Sequence, residues 1–225
     1  MKYTEFNHRQ YESHMLVYNA IKPHSNVLDL GCATGYFAKE LKKKHCEVTG
    51  VENKREAVVL ARKWCVNTLQ GDLEKVESLH ISPHTFNYVL LLDVLEHIQN
   101  RDTLLKWIGQ KLKNDGRIII STPNIAHISI RLSLLFGHFT YTNHGILDET
   151  HVHFFTKQTL MKLLRLNGWE IEHFMVSADF GQIPIAGRFF RHIPKYIQYV
   201  VSNIFPTVFG VQFVVTCKKE SSRYV

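Results

Sequence analysis

Val27-Leu-Asp-Leu-Gly31-Cys-Ala-Thr-Gly35-Tyr-Phe-Ala-Lys-Glu-Leu41 carries an apolar strand into a small-residue turn and straight out into a helix. Gly31, Ala33 and Gly35 have little or no side chain, so the backbone can bend sharply and let a ligand lie against it. A dinucleotide fingerprint needs a third glycine after two intervening residues, to seat a pyrophosphate on the helix N-terminus, and Tyr36 and Phe37 stand in that region instead. The turn suits a ligand without a pyrophosphate.

The next strand, Cys46-Glu-Val-Thr-Gly-Val51, ends in Glu52, about 20 residues beyond the first glycine, where doubly wound folds put the acid that grips a ribose. One carboxylate there can accept from both ribose hydroxyls. A third short strand, Asn67-Thr-Leu-Gln70, ends in Gly71-Asp72-Leu73, where an acid can accept from the exocyclic amine of a base. Each feature alone has a plainer reading, since small residues at such turns are often only packing and acids routinely cap helices. In this order, each after a strand, they point to a nucleoside without phosphates.

On these residues the chain resembles class I S-adenosylmethionine-dependent methyltransferases, whose first motif reads E/D-x-G-x-G-x-G, with a ribose acid after strand two and an adenine-side acid after strand three. Asp29, Gly31, Gly35, Glu52 and Asp72 match; Ala33 replaces the middle glycine and still permits close approach. The resemblance implies S-adenosylmethionine as cofactor, held by Asp29, Gly31, Cys32, Ala33, Gly35, Glu52, Asp72, Leu73 and Asp93. It also implies a doubly wound, mostly parallel seven-stranded α/β sheet whose last strand, Gln212-Phe-Val-Val-Thr-Cys217, runs antiparallel. The likeness covers about residues 25–180. Phe86 to His97, Leu112 to Gly116 and Phe154 to Leu160 are similar to ubiquinone-pathway O-methyltransferases. Ser121 to Asn124, Leu134 to His138 and Leu147 to Phe155 look more like bacterial enzymes that methylate cell-surface polysaccharide precursors.

Outward from the turn, the chain alternates strands and helices. An N-terminal helix is expected around Glu12 to Ile21, ended by Pro23. Strands are expected at Asn26–Leu30, Glu47–Val51, Asn67–Gln70, Phe86–Leu92 and Arg117–Ser121, with helices at Gly35–Lys44, Lys54–Lys63 and Asp102–Leu112. The continuous apolar runs Tyr88–Leu92 and Ile118–Ile120 suit strands buried on both faces of a parallel sheet. Thr156 can cap a helix that runs through Asn167 to a stop at Gly168, and Trp169–Val176 reads as strand six.

Chain length and the 45% hydrophobic content fit one domain over residues 1–225, with residues 1–24 as a helical cover. Two insertions depart from a minimal fold. Residues 124–150, almost without charge until Asp148 and Glu149, read as an acceptor-side cover. Residues 181–210 contain no acid and place Arg188, Arg191 and Lys195 beside Phe189, Phe190, Ile193 and Pro194. Ile197, Val200, Val201 and Ile204 then mark one helical stripe, read first as a face packed on the domain or on a second copy of the chain in a homodimer. Contact of residues 188–205 with an anionic membrane surface is the other reading. Cys32, Cys46, Cys65 and Cys217 show no paired spacing and read as reduced and buried. No signal-peptide core or membrane-length apolar run is visible, so a cytoplasmic protein, peripheral to the membrane at most, is expected.

The net charge of +7 implies attraction to anions, and signatures of nucleic-acid modules are missing, so a small-molecule acceptor is expected rather than nucleic acid. A methyl sulfonium is already electrophilic, so the protein chiefly orients the acceptor and excludes water. A hydroxyl acceptor must also lose a proton, a role that suits histidine. His151 and His153 alternate on an extended run and follow the cover, and His97 follows strand four; these three are the candidate bases. Asp93, Glu96 and His97 would share one face if a helix began there, with His151 or His153 completing a set similar to the metal site of small-RNA 3′-terminal 2′-O-methyltransferases. Asp93 stands where that motif has glutamate, and Leu-Glu-His also occurs in metal-free relatives, so no metal is expected. The sequence therefore reads as an O-methyltransferase for a small, anionic or lipid-linked sugar-type acceptor. A metal-assisted RNA ribose methyltransferase and a cofactor-binding module without turnover are the alternatives.

Overall fold

Strand residues alternate between two cores, which fixes how the sheet is covered. Leu28 and Leu30 of β1 (Asn26–Leu30), Val89 and Leu91 of β4 (Phe86–Leu92), and Ile118 and Ile120 of β5 (Leu112–Pro123) pack on one face. Val27, Leu90 and Ile119 of the same strands pack on the other. A pleated strand sends successive side chains to opposite sides, so continuous apolar runs are what a sheet covered on both faces demands. Helices α4 (Arg101–Lys111) and α6 (Lys157–Leu166) give Leu104, Leu105, Leu160 and Leu164 to the first core. Helices α1 (Ser13–Ala20) and α2 (Tyr36–Leu41) give Val17, Phe37 and Leu41 to the second.

The structure is a computed structural model that describes residues 5–182 and 192–220. With β2 (Glu47–Glu52), β3 (Asn67–Gln70), β6 (Trp169–Ala178) and β7 (Gly210–Lys219), the described strands form one seven-stranded sheet in the order β3-β2-β1-β4-β5-β7-β6. The β3-β2-β1-β4-β5 portion is parallel, and β7 runs antiparallel between β5 and β6. This is the expected doubly wound class I methyltransferase sheet. Strand order reverses between β1 and β4, so a crevice opens beyond their carboxyl ends, the usual ligand position of such sheets.

Local signals act where they were read. Thr156 caps α6 in a reciprocal box with Thr159, and Gly35, at φ 75°, starts α2 in a left-handed conformation. The expected helix through Lys44 breaks at Leu41 into a 3₁₀ turn over Lys42–Lys44, where the Lys44 ammonium donates to the Tyr18 and Ile21 carbonyls at 2.6 and 2.8 Å. Strand β5 begins earlier than expected, at Leu112, across an irregular register with β4.

The insertions differ more from expectation. Within residues 124–150, helix α5 (Ile128–Leu135) buries Ile130 but leaves Leu134 and Leu135 exposed. Arg188, Phe189, Phe190 and Arg191 of the expected basic-aromatic cluster lie outside the described residues. Helix α7 (Lys195–Ile204) corrects the expectation that its apolar stripe packs on the domain: its buried residues are Gln198 and Ser202, while Ile197 and Ile204 are 47% and 63% exposed. Specific bonds turn it this way. Gln198 accepts from the Phe180 N–H at 3.1 Å and donates to the Ile193 carbonyl at 2.7 Å, and Ser202 donates to the Phe209 carbonyl at 3.2 Å. Fully buried Asn124 ties the two insertions together. Its amide Nδ2 donates to the Gly210 carbonyl at 2.8 Å, its backbone N–H donates to Val211, and the next N–H, of Ile125, donates to Phe155.

Candidate active site

The turn after β1 hangs from the end of β2: the N–H groups of Gly31 and Cys32 donate to the Val51 carbonyl at 2.8 and 3.0 Å. Gly31 and Ala33 take positive φ values of 79° and 48°, bending the chain back over the sheet. Glu52 is fixed by the same arrangement. Its Oε2 accepts from the Ala33 N–H at 3.1 Å and its Oε1 from the Lys54 N–H at 2.9 Å. A carboxylate oxygen has two lone pairs, so Glu52 keeps one acceptor site on each oxygen for a pair of hydroxyls. Asp72, beyond β3, accepts from the Glu74 N–H at 2.9 Å through Oδ1.

These groups meet around a cavity of about 500 Å³ at the carboxyl ends of β1, β2, β3 and β4. Gly31, Ala33, Glu52, Asp72, Leu73, Asp93 and His97 all line it. Asp29, Cys32, Gly35, His151 and His153 of the expected set do not stand in its wall. Asp29 is buried in the sheet, where desolvation first and the nearby Glu52 second push its carboxyl up to about 7. The Cys32 thiol packs beside Gly50 and Cys65, where a Cβ on Gly50 would fall 2.6 Å from Cys32 Sγ. The Cys65 contact and burial hold the Cys32 thiol well above its ordinary range, so it stays a neutral packing group.

The wall opposes the net charge of the chain. Glu52, Asp72, Glu74, Asp93 and Asp148 put five carboxylates around the cavity against one ammonium, Lys54. Such a wall repels a pyrophosphate and favours a ligand carrying positive charge. S-adenosylmethionine, with a sulfonium, an ammonium and a ribose whose hydroxyls Glu52 can accept, fits this donor and acceptor set.

Of the three candidate histidines, His97 lines the cavity and His151 packs behind it. Asp93 sits at φ 53°, with Oδ1 accepting from Ser121 Oγ at 3.0 Å and Gln212 Nε2 at 2.9 Å. Leu95–His97 then form a 3₁₀ turn, so the single helical face expected for Asp93, Glu96 and His97 does not form. Glu96 turns into the interior, where its Oε2 accepts from Thr122 at 3.1 Å. Burial, followed by the neighbouring Asp93, pushes the Glu96 carboxyl well above the usual range. The Glu96 carbonyl accepts from the N–H groups of Val152 and His153, both at 3.0 Å, which brings His151 against His97 with ring centroids 4.8 Å apart. Burial, then His97, lowers the affinity of His151 for a proton. His153 points to the start of α4 near Arg101, and burial lowers its proton affinity too.

Sequence reasoning read α1 only as part of a cover and missed His14. Asn7 donates to His14 Nδ1 at 2.9 Å, leaving the proton on Nε2, 3.4 Å from the hydroxyl of Tyr36, which lines the cavity. A histidine inside a helix with no motif around it gives no signal of this placement. Asp148 and Thr150 reach the wall from the end of the first insertion, so that segment lines part of the cavity.

A family model for the methyltransferase domain matches residues 3–174, and the chain belongs to that family, the S-adenosylmethionine-dependent methyltransferases. Among curated relatives, the mitochondrial ubiquinone biosynthesis O-methyltransferase of Schizosaccharomyces pombe is 26% identical over 151 residues, covering 64% of this chain and 55% of that protein. The ubiquinone biosynthesis O-methyltransferase of Colwellia psychrerythraea is 26% identical over 169 residues, covering 72% of this chain and 66% of that one. The chain spans about half the length of the curated relatives it matches. An S-adenosylmethionine-dependent methyltransferase structure from Thermotoga maritima shares the fold at a TM-score of 0.63 and 20% identity, covering 93% of this chain and 89% of that one.

Proposed function

We propose that this chain transfers a methyl group from S-adenosylmethionine to a hydroxyl of a small-molecule acceptor. The acidic wall carries the reading: the successive strand-end acids Glu52 and Asp72 line the same cavity as a glycine turn that lacks a pyrophosphate seat. The cofactor supplies an electrophilic methyl group. Glu52, clamped by two backbone N–H groups, accepts from the ribose, and Asp72 accepts from the base. The carboxylates complement the positive charge of the cofactor, and Asp93 is held in place by Ser121 and Gln212. The acceptor enters beside Asp93, His97, Asp148 and Thr150, and its proton leaves at this histidine end, where His97 is on the wall and His151 behind it.

Similarity to the ubiquinone biosynthesis O-methyltransferases supports oxygen as the methylated atom. The wall also limits the acceptor. A group carrying negative charge is repelled inside the cavity, so an anionic or lipid-linked acceptor presents only its hydroxyl there and keeps its charge outside. Calorimetry with S-adenosylhomocysteine and NADH, followed by transfer of labelled methyl to phenolic and sugar-type alcohols, tests the reading. Binding of the homocysteine nucleoside, no NADH binding and label on oxygen are expected. Tight NADH binding, or label on nitrogen, would overturn it.

A further inference from the structure

Glu96, His97 and His151 each present one ligand atom, and these atoms lie within 4.8 Å of one another. The hydrogen bonds around them settle which atoms are available. His97 Nδ1 lies 3.0 Å from the Thr150 carbonyl and His151 Nδ1 lies 3.1 Å from the Ile146 carbonyl. A carbonyl only accepts, so both Nδ1 atoms carry the proton and both Nε2 atoms keep a lone pair. Metal-binding histidines are oriented by this kind of outer bond.

The third donor is buried and unpartnered. Glu96 is 1% exposed; Thr122 donates to its Oε2, whereas Oε1 has no hydrogen-bond partner among the described residues. That oxygen faces His151 Nε2 at 4.0 Å, too far for a hydrogen bond. Donors bound at ~2.0–2.2 Å to one ion come together from this spacing by a shift of under ~1 Å. Asp93, whose Oδ1 is engaged by Ser121 and Gln212, stands outside this group of ligand atoms. The N–H groups of Val152 and His153 on the Glu96 carbonyl hold the two contributing segments together.

We propose that Glu96, His97 and His151 bind a divalent first-row transition-metal ion at the acceptor end of the cavity. Two imidazoles and one carboxylate leave coordination positions open, and His97 lines the cavity, so those positions face the acceptor. The role of the ion rests on the methyltransferase reading above. The acceptor hydroxyl binds the ion and gives its proton to water; its oxygen then bonds to the methyl carbon as the carbon–sulfur bond breaks and sulfur keeps the electron pair. His97 and His151 serve as ligands in this scheme, and the ion acidifies the hydroxyl.

The full chain, free of any affinity tag and dialysed against chelator, is titrated with Co²⁺ alone, by visible absorption and by calorimetry. One equivalent should bind with a ligand-field band, and Glu96→Gln and His151→Ala should each weaken binding about tenfold or more. His24→Ala is the control, because His24 and His45 form an exposed stacked pair with centroids 5.1 Å apart. S-adenosylhomocysteine affinity is measured on every variant to show that it is folded, and part-exposed His97→Ala replaces Glu96→Gln if the latter fails to fold. Absence of Co²⁺ binding in the wild type, binding unchanged in both ligand variants, or binding lost in His24→Ala would overturn the metal site. Failure of the wild type to bind S-adenosylhomocysteine would instead overturn the methyltransferase reading and leave the metal result standing.

Discussion

Glu52 offers the sharpest test of the cofactor geometry, because its two oxygens are already committed on one side. Oε2 accepts from Ala33 and Oε1 from Lys54, leaving one acceptor site on each oxygen for the two ribose hydroxyls. Glu52→Ala removes both acceptors together with the charge. Hydrogen bonds to charged groups contribute about 1.5–3 kcal/mol each, and water entering the enlarged site recovers part of that. A net loss of about 2–3 kcal/mol follows, a ~30- to 150-fold rise in Kd for S-adenosylhomocysteine. Glu52→Gln is also informative. Its amide nitrogen must face one of the two backbone N–H donors, so the near-isosteric change loses the charge and sets two donors against each other, and should still weaken binding by ~10-fold or more. Isothermal titration calorimetry on the three proteins decides. Affinities within about twofold of one another would show that the ribose does not sit on this carboxylate, and the placement of the cofactor would fail with it.

Three further outcomes follow from the structure. Asp29 carries a proton up to about pH 7 in the folded chain but only to 3.8 when unfolded, so stability from this group is full below 3.8 and falls by up to about 4 kcal/mol as pH rises to 7. Buried His127, lowered to about 4, slopes the opposite way, so denaturation is read as Asp29→Asn minus wild type; that difference should rise with pH, and a flat one would refute it. Gly35→Ala places a Cβ at φ 75° and 3.0 Å from Ala61 Cα, so it should cost about 2 kcal/mol and lower Tm by about 4–8 °C; an unchanged melting curve would be incompatible with this close approach. Ile197→Asp with Ile204→Asp should leave chemical stability within about 1 kcal/mol, whereas a loss of several would restore the packed-stripe reading of α7.

The glycine turn and strand-end acids were legible in the sequence because their signals are local. Strands β1, β3 and β4 fall at their expected residues: β1 and β4 are largely apolar runs, and β3, though mostly polar, ends at the Gly71-Asp72 turn. Periodicity identified α7 but not its orientation: a stripe says which residues share a face, while three bonds from Gln198 and Ser202 decide which face turns inward. The local geometry of the histidine cluster was not legible for a related reason. A 3₁₀ turn rather than a helix separates Asp93 from Glu96, and His151 arrives through backbone bonds to a residue far away in sequence. The acidic wall was hidden by the net charge of +7, because its carboxylates come from several strand ends and one loop.

Asn124 has a consequence for how the two inserted segments can be exchanged. The first insertion starts at this residue and rejoins the fold beside Phe155, and the second ends at Gly210, which the same side chain holds. The two segments thus share a root on β5, while Glu52 and Asp72 hang from β2 and β3 on the opposite side of the crevice. Grafting new loops onto this scaffold is a transplant at one stem: with Asn124 and its partners carried along, the two inserted segments can be exchanged without disturbing the strand ends that carry Glu52 and Asp72.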